Sequence, residues 1–377
     1  MNRFPVSEIP ELFRCRTSIN KNFLFRGCIV FFVLLMLGGC KVTKNFESNQ
    51  FLLIKNKIKT SDRKILTEEL VPYIQQHPNK KLGGLFRTNI ALYNWGTKGE
   101  DSKFKKWLRT KAGTEPTILD TSLNAISAKQ MTMYLANKGY FKSVVTDTVI
   151  YKKKKAVVEY RIRASRPYLV KNLTYAIADT QLATFVYKDT AKCLMKKGAN
   201  YDSYLLDDER TRITTNLQNY GFFRFSNIYI KYRIDTSFMQ HACDITVEII
   251  NRVVPSFDNF TTVEQVPHKR YFINDIYIYP EFDHLITFTG KYDTLVKTYD
   301  SPVKNQPSNT YYFLFKDRFM VKPRTIAQSI FIIPNSHYNM KDVNQTYSQL
   351  NGLGVFKYTN IQFKEVDDDV TKTGKKK

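Results

Sequence analysis

Few residues of the chain are grouped in a way that could support catalysis or metal binding. Its five histidines are scattered over 377 residues. The tightest grouping is the segment His241-Ala-Cys243-Asp244, which offers fewer than the four ligands that a structural zinc site needs. The glycine pairs lack the strand and helix frame of a phosphate-binding loop. We therefore predict that the protein is not an enzyme and has no metal or dissociable cofactor.

Cys40 is the residue whose setting predicts a specific chemical modification. It follows Leu37-Gly38-Gly39, at the end of an apolar run that begins at Cys28 and has basic residues before it. A basic segment, an apolar segment and small residues in this order are typical of a secretory signal peptide. The run is about half of the roughly 20 apolar residues that a membrane-spanning helix needs. We predict a signal peptide over residues 1–39, cleaved between Gly39 and Cys40.

The Leu-Gly-Gly-Cys order resembles a bacterial lipobox. In a lipobox the cysteine receives a diacylglyceryl group and becomes the first residue of the mature protein. The resemblance implies that Cys40 carries this lipid and further acyl chains such as palmitate. Acyl chains contribute about 0.8 kcal/mol per buried CH₂, so that more than one chain suffices for anchoring. The alternative interpretation is an uncleaved anchor helix with an incidental cysteine.

The composition indicates a folded and strongly basic chain. Hydrophobic residues make up 43% and aromatic residues 14%, and the formal net charge is +24. Such a charge favours anionic partners, but an exported protein does not meet nucleic acid in its working compartment, so we predict no nucleic-acid partner. Cys193 and Cys243 follow Cys40 in a compartment that permits disulfides. The sequence leaves open whether they pair or stay free.

Two basic clusters lie in the body of the chain. Lys152–Lys155 is typical of a solvated hairpin turn. In Lys103-Phe-Lys-Lys-Trp-Leu-Arg109 aromatic residues alternate with cations. This second pattern fits either a short amphipathic helix on an anionic membrane surface or a segment that packs against its own domain, and the sequence leaves both open.

An internal repeat organises the rest of the chain. Three segments share the pattern Leu-x3-Gly-x-Phe, each after a helix-like stretch and before a strand-like stretch. We expect the leucine to end a buried helix, the glycine to adopt the left-handed conformation, and the aromatic residue to pack back on the core. The motif residues are Leu135, Gly139 and Phe141, then Leu217, Gly221 and Phe223, then Leu350, Gly354 and Phe356.

Each motif lies in a unit with the order strand, helix, helix, strand, strand. The predicted strands are Phe51–Thr60, Ser143–Tyr151, Lys155–Ala164, Tyr168–Ile177, Phe225–Ile234, Ala242–Asn251, Tyr271–Tyr279 and Tyr358–Phe363. The predicted helices are Leu66–Gln76, Ser127–Leu135, Thr180–Tyr187, Leu206–Leu217, Pro323–Ser329 and Met340–Leu350. Inserts over 80–117 and 282–322 lengthen the first and third units.

These units resemble POTRA domains, the periplasmic domains in front of the β-barrel in the BamA/TamA superfamily. The match is closest over Tyr338–Lys357, although Asn335-Ser336 stands where the family has a glycine, and Asn also tolerates the left-handed region. The lipobox and the nearby Val42-Thr43-Lys44 narrow the resemblance to the lipidated TamA-like branch. The expected fold class is therefore α+β, with tandem POTRA-like β-α-α-β-β units after a lipoprotein signal peptide.

The resemblance also implies a function, a location and partners. It implies a lipid-anchored protein on the periplasmic face of the outer membrane, involved in outer-membrane protein insertion, assembly or translocation in cell-envelope biogenesis. The implied partners are outer-membrane lipid, a TamB-like periplasmic protein and nascent outer-membrane proteins. Extended client segments would add to the exposed edge strand after each Gly-x-Phe motif, for example Ser226–Tyr232. The alternative is a stand-alone lipid-anchored envelope interaction or adhesion protein.

The end of the chain departs from the family pattern. A charged stretch follows Glu365, and neither a partner strand nor barrel strands come after it. We expect a chain truncated before the β-barrel, with an incomplete third unit that lacks its last strand. The expected ranges are residues 1–39 for the signal peptide, 40–49 for a lipidated linker, and 50–165, 166–253 and 254–377 for the three units.

Overall fold

The computed structural model describes residues 43, 46–81, 88–97, 99–237, 241–255, 263–282, 292–316 and 318–366. It separates the chain into two units, Met1–Ala136 with Lys142–Ser165, and Asn137–Phe141 with Arg166–Lys377. The predicted signal peptide and Cys40 lie outside the described residues. None of the helices in the described ranges has the length and apolar character to cross a membrane.

The first unit contains a three-stranded mixed sheet. Its central strand β3 (Lys155–Arg163) pairs in parallel with β1 (Leu52–Thr60) and antiparallel with β2 (Val144–Lys152). Because side chains alternate along a strand, β1 exposes its lysines while β3 buries Val158 and Tyr160. The predicted strands of this unit are confirmed to within one residue.

Helices in the first unit differ from expectation in type and number. Pro72 has no amide to donate, and the segment predicted as a helix over Leu66–Gln76 forms only a 3-10 helix at Thr67–Tyr73. The 80–117 insert contains two helices, and the long helix starts before the predicted Ser127. In chain order the helices are α1 (Thr88–Gly96), α2 (Lys103–Trp107), a π-helical turn at Leu108–Ala112, and α3 (Thr121–Asn137).

The second unit begins with a repeat of the same topology. Strand β6 (Ala242–Ile249) lies between β4 (Leu169–Ile177), which is parallel to it, and β5 (Ile230–Asp235), which is antiparallel. Helices α4 (Thr180–Lys188) and α5 (Ser203–Asn219) connect β4 to β5. Strand β5 starts later than predicted because Asn227–Tyr229 forms a 3-10 turn.

Aspartate caps define where the two helices of this repeat begin. Asp179 accepts hydrogen bonds from the amides of Gln181 and Leu182 at 2.9 and 3.1 Å, and Asp202 accepts from the amide of Tyr204 at 3.0 Å. Such caps satisfy amides that have no partner in the first helical turn. The apolar faces of both helices then bury Leu182, Val186, Leu206, Ile213 and Leu217 in one core with the sheet.

The third repeat builds its sheet from other parts of the chain than predicted. A short hairpin of β7 (Arg252–Pro255) and β8 (Val263–Val266) precedes it. Central strand β11 (Asn309–Phe315) pairs in parallel with β9 (Ile276–Ile278) and antiparallel with β10 (Asp293–Tyr299). Helices α6 (Pro323–Ala327) and α7 (Met340–Gly352) follow the sheet. Two strands therefore come from the 282–322 insert, for which no structure was predicted.

The predicted strand over Tyr358–Phe363 is wrong, because this segment pairs with no strand among the described residues. A side chain of α7 binds this segment instead, because the hydroxyl of Tyr347 accepts a hydrogen bond from the amide of Ile361 at 2.9 Å. The third sheet has its three strands without it. The insert hairpin supplies β10 and β11, and no strand follows α7 among the described residues.

Candidate binding edge and repeat joints

The three motif leucines and glycines occupy equivalent positions at helix ends. All three leucines are buried, and each glycine has a left-handed backbone that disfavours residues with a Cβ atom. The φ angles are +88° at Gly139, +100° at Gly221 and +65° at Gly354. Asn335 also has a left-handed backbone, with a φ of +60°.

Gly139 and Phe141 of the first motif form a joint with the start of the second repeat, and the residues of this joint all belong to the second unit. The amide of Tyr168 donates to the carbonyl of Gly139 at 2.9 Å, and the amide of Tyr201 donates to the carbonyl of Tyr168 at 2.7 Å. The ring of Phe141 lies 5.0 Å from the ring of Tyr168 and 5.2 Å from that of Tyr201. Main-chain hydrogen bonds and three aromatic rings thus hold this joint.

The second motif repeats this arrangement. The amide of Tyr271 donates to the carbonyl of Gly221 at 2.8 Å, and the amide of Tyr338 donates to the carbonyl of Tyr271 at 2.9 Å. Phe223 contacts the rings of both tyrosines, with centroids 5.8 and 4.9 Å apart. Phe222, the residue before it, is the one buried in the core of the second repeat. Phe223 itself packs against the core of the third repeat.

The third motif differs in its surroundings. A methyl group added at Gly354 would have no atom within 4 Å among the described residues, and Phe356 packs at the edge of the third core. The chain beyond this motif returns to the second joint, where the ring of Phe363 lies 5.2 Å from those of Phe223 and Tyr338. The segment predicted as a strand therefore closes the second joint.

A cationic side chain and a histidine complete the second joint. Arg270 donates to the carbonyl of Tyr220 at 2.7 Å and stacks 4.9 Å from the ring of Phe185. His337 stacks on Phe272 with ring centroids 3.9 Å apart. Burial, and then the charge of Arg270, lower the pKa of His337. A neutral imidazole is thus favoured in this joint.

Strand β5 presents an open edge, which is the candidate binding site. It is hydrogen-bonded only to β6 among the described strands. The amide of Ile250 donates to the carbonyl of its register partner Tyr229 at 3.0 Å. Because bonded and non-bonded pairs alternate in an antiparallel ladder, Ile230, Tyr232 and Ile234 direct their amide and carbonyl groups outward. This row of unpaired main-chain groups can accept one further strand.

The corresponding edge strand of the first sheet is partly occupied. The amide of Val145 in β2 donates to the hydroxyl of Thr132 on helix α3 at 3.0 Å. The outer strand β4 is also occupied at its start by the loop before α5. The amide of Val170 donates to the carbonyl of Ala199 at 2.9 Å, and the carbonyl of Val170 accepts from the amide of Gly198 at 2.7 Å. Among the outer strands of these two sheets, β5 therefore offers the freer row of main-chain groups.

A buried ionic network fixes the helix pair behind β5. Arg212 binds both carboxylate oxygens of the fully buried Glu209 at 2.8 Å and also contacts the carboxylate of Asp189. Glu209 further accepts from the amide of Leu194 at 3.1 Å. The hydrogen bonds with Glu209 raise the pKa of Arg212. No sequence motif marks this network, because Asp189 and Glu209 come from separate segments of the chain.

The candidate chemical residues of the sequence are not brought together as a site. Cys193 and Cys243 are both buried free thiols, and burial raises the pKa of each. The Sγ atom of Cys243 donates to the carbonyl of Leu169 at 3.6 Å. Among the described residues, no group of three or more His, Cys, Asp or Glu side chains is placed to hold a metal ion.

The topology defines the class of fold. Three sheets share one plan, in which the central strand is parallel to the first strand and antiparallel to the second, and each repeat also contains helices. The chain is therefore an α+β array of tandem POTRA-like units.

Solved structures of POTRA domains resemble the chain at low similarity. Haemophilus influenzae BamA POTRA3-5 shares 12% identity, with 86% of this chain and 94% of that chain covered and a TM-score of 0.39. The N-terminal domain of Omp85 from Thermosynechococcus elongatus shares 12% identity, with 84% and 92% covered and a TM-score of 0.25. POTRA1-3 of the periplasmic domain of Omp85 from Anabaena shares 10% identity, with 85% and 92% covered and a TM-score of 0.24. No family model and no curated protein matches the sequence. At these TM-scores the POTRA-like assignment rests on the repeat topology of the chain itself.

Proposed function

We propose that the chain is the periplasmic POTRA portion of a lipidated, TamA-like outer-membrane protein. In this proposal Cys40 carries the lipid, the repeats face the periplasm, and the protein takes part in outer-membrane protein insertion or assembly. Its partners are nascent outer-membrane proteins and a TamB-like periplasmic protein. The proposal is supported by the repeat topology and by the lipobox-like residues before Cys40.

The open edge of β5 is the observation that carries the client-binding role. Unfolded outer-membrane proteins consist of future β-strands, and an extended segment can add to a sheet edge through main-chain hydrogen bonds with little demand on its sequence. Ile230, Tyr232 and Ile234 turn their side chains to the core and their main-chain groups outward. Lys231 and Arg233 have exposed side chains on the other face of the strand, where they would flank an added strand.

We expect a photoreactive amino acid at Lys231 or Arg233 to crosslink to a urea-denatured porin diluted into buffer. A strand added to β5 would lie about 5 Å from these positions, within reach of the probe. Crosslinked species are quantified by gel electrophoresis and mass spectrometry. Proline substitution is a weaker test, because a proline at Ile230 or Tyr232 would also delete a core side chain.

The matched control places the same photoreactive amino acid at Lys188, an exposed position at the end of α4. Crosslinking at Lys231 and Arg233 should exceed that at Lys188 and should disappear when the porin is folded in detergent. Equal crosslinking from all three positions would mean that the client does not choose this edge.

The lipid on Cys40 is tested in cells. Globomycin blocks the signal peptidase that acts on lipidated precursors, so we expect an unprocessed precursor of the wild-type chain to accumulate. The variant Cys40→Ser should show neither metabolic labelling with palmitate nor a globomycin effect. A wild-type chain that matures normally in the presence of the drug would contradict lipidation at Cys40.

A further inference from the structure

Three aromatic side chains form an exposed cluster on the insert of the first unit. Trp95 lies at the end of α1, while Phe104 and Trp107 lie on α2. The ring of Phe104 contacts both tryptophan rings, with its centroid 6.1 Å from that of Trp95 and 6.0 Å from that of Trp107. The three residues are 57%, 56% and 52% exposed. Clusters of large exposed apolar side chains are typical of interaction surfaces.

The exposure of this aromatic cluster does not come from loose packing of the insert. Ile90 on α1 and Leu108 directly after α2 are both buried. A methyl group at Gly96 would come within 2.9 Å of the Lys105 carbonyl, and one at Gly113 within 2.6 Å of the Tyr93 amide nitrogen. Helix α1 and the turn after α2 are thus in close contact, and the rings are left outside. The segment thus packs against α1 of its own unit through Leu108, while its aromatic side chains stay exposed.

Positive charge surrounds the aromatic cluster. Between Gly99 and Gly113 the chain has five basic residues and two acidic ones. Arg109 pairs with Asp101 at 2.8 Å, whereas Lys103, Lys106 and Lys111 are exposed at the surface. Ser102 caps α2 by accepting from the amide of Lys105 at 3.2 Å. The cap fixes the helix that presents Phe104 and Trp107 beside these lysines.

We infer that the aromatic cluster and its lysines form a contact surface for an anionic phospholipid bilayer. Tryptophan and phenylalanine rings are favoured at the boundary between headgroups and acyl chains, and nearby lysines attract anionic headgroups. Both tryptophans of the chain lie in this one cluster. The surface would bring the first unit onto a membrane, and it acts independently of client binding at β5 and of a lipid on Cys40.

The test uses the chain from Lys41 to Lys377, which lacks Cys40 and contains all described residues. It is mixed with vesicles of phosphatidylcholine alone or of phosphatidylcholine with phosphatidylglycerol. We expect sedimentation with the anionic vesicles only, together with a shift of tryptophan emission to shorter wavelength. Because both tryptophans belong to the cluster, the emission reports this surface alone.

Two variants and two matched controls separate this surface from general basicity. One variant removes the aromatic rings with Trp95→Ala, Phe104→Ala and Trp107→Ala. The other removes the charges with Lys103→Gln, Lys106→Gln and Lys111→Gln. We expect each variant to bind the anionic vesicles about tenfold more weakly, or weaker still. The first control is the triple variant Ile228→Ala, Met320→Ala, Val355→Ala, which removes exposed apolar groups elsewhere. The second control is the triple variant Lys152→Gln, Lys153→Gln, Lys155→Gln, which removes exposed charges elsewhere. They should bind like the unchanged chain.

Folding of each variant is checked by circular dichroism, and the exposed positions should leave the spectrum unchanged. Three outcomes would overturn the inference. One is the absence of binding to anionic vesicles, and another is equal loss of binding in the variants and their controls. The third is binding with unshifted tryptophan emission. This result would indicate that the rings stay in water and that charge alone holds the chain on the vesicle.

Discussion

Replacing Gly139 by alanine is expected to destabilise the first repeat joint more than the same change at either other motif glycine. A left-handed backbone costs an L-residue roughly 1–2 kcal/mol. At Gly139 the added methyl would also come within 2.7 Å of the Tyr201 carbonyl oxygen, a main-chain atom held by the joint. Relief requires the main chain at Tyr201 to move away from Gly139, so we expect a total cost of roughly 3 kcal/mol or more.

Two measurements check this expectation. The midpoint of thermal unfolding should fall, and the amide of Tyr168 should exchange its hydrogen faster, because its acceptor is the carbonyl of Gly139. Gly354→Ala is the matched control, since its methyl would meet no described atom within 4 Å and only the backbone cost of roughly 1–2 kcal/mol remains. Equal effects at the two glycines would show that the close contact at Gly139 contributes nothing.

Replacing Arg212 by alanine is expected to destabilise the second repeat strongly. The change leaves the buried carboxylates of Glu209 and Asp189 without the guanidinium that binds both. Removal of one partner from a buried ion pair typically costs about 3–5 kcal/mol, because the remaining charge has lost its solvent and its partner. The thermal midpoint should fall, and the amide of Leu194, which donates to Glu209, should lose protection from hydrogen exchange.

The control for this variant is Lys192→Ala. Lys192 also binds Asp189, at 2.8 Å, but its side chain is 77% exposed, so its removal should change stability little. The double variant Glu209→Gln, Arg212→Ala should regain part of the lost stability, because a neutral amide replaces one stranded charge. Equal midpoints for the Arg212→Ala and Lys192→Ala variants would contradict a stabilising network.

The first two repeats could be predicted from sequence because their elements have strong local signals. The period of apolar residues, the aspartates before α4 and α5, and the glycine after each long helix mark the helices and their ends. The hairpins around β2, β3, β5 and β6 show alternation between apolar and polar residues. These signals lie within a few residues of one another along the chain, and pattern reasoning detects such local signals well.

The third repeat was mispredicted because strand formation depends on pairing partners. Tyr358–Phe363 alternates like a strand, yet no strand among the described residues lies beside it. The run Asn309–Phe315 is rich in aromatic residues and is a usable strand signal, but no element is predicted in this insert. Strand preference is decided by neighbours in space, and these are fixed only when the whole sheet is assembled.

In the sequence, the residues of the two repeat joints can be recognised only because the same residue types recur in each repeat. Tyr168 and Tyr271 each begin a predicted strand, and Tyr201 and Tyr338 each lie just before a long helix, without any indication of their partners. The structure places each pair against a Gly-x-Phe motif, so the repetition reflects a shared joint. The ionic network at Arg212 left no pattern, because burial of Glu209 is set by tertiary packing.

The strand order of the third repeat has a consequence for the order of folding. In the first two sheets the outer parallel strand pairs with residues that come much later in the sequence, since Leu52 pairs with Lys155 and Leu169 with Ala242. In the third sheet Ile276 pairs with Tyr311, before either helix of that repeat has been reached. Contacts between residues close in sequence form faster, because less chain entropy is lost in closing the loop. We therefore expect the sheet of the third repeat to form before the other two sheets, and helices α6 and α7 to pack on it afterwards.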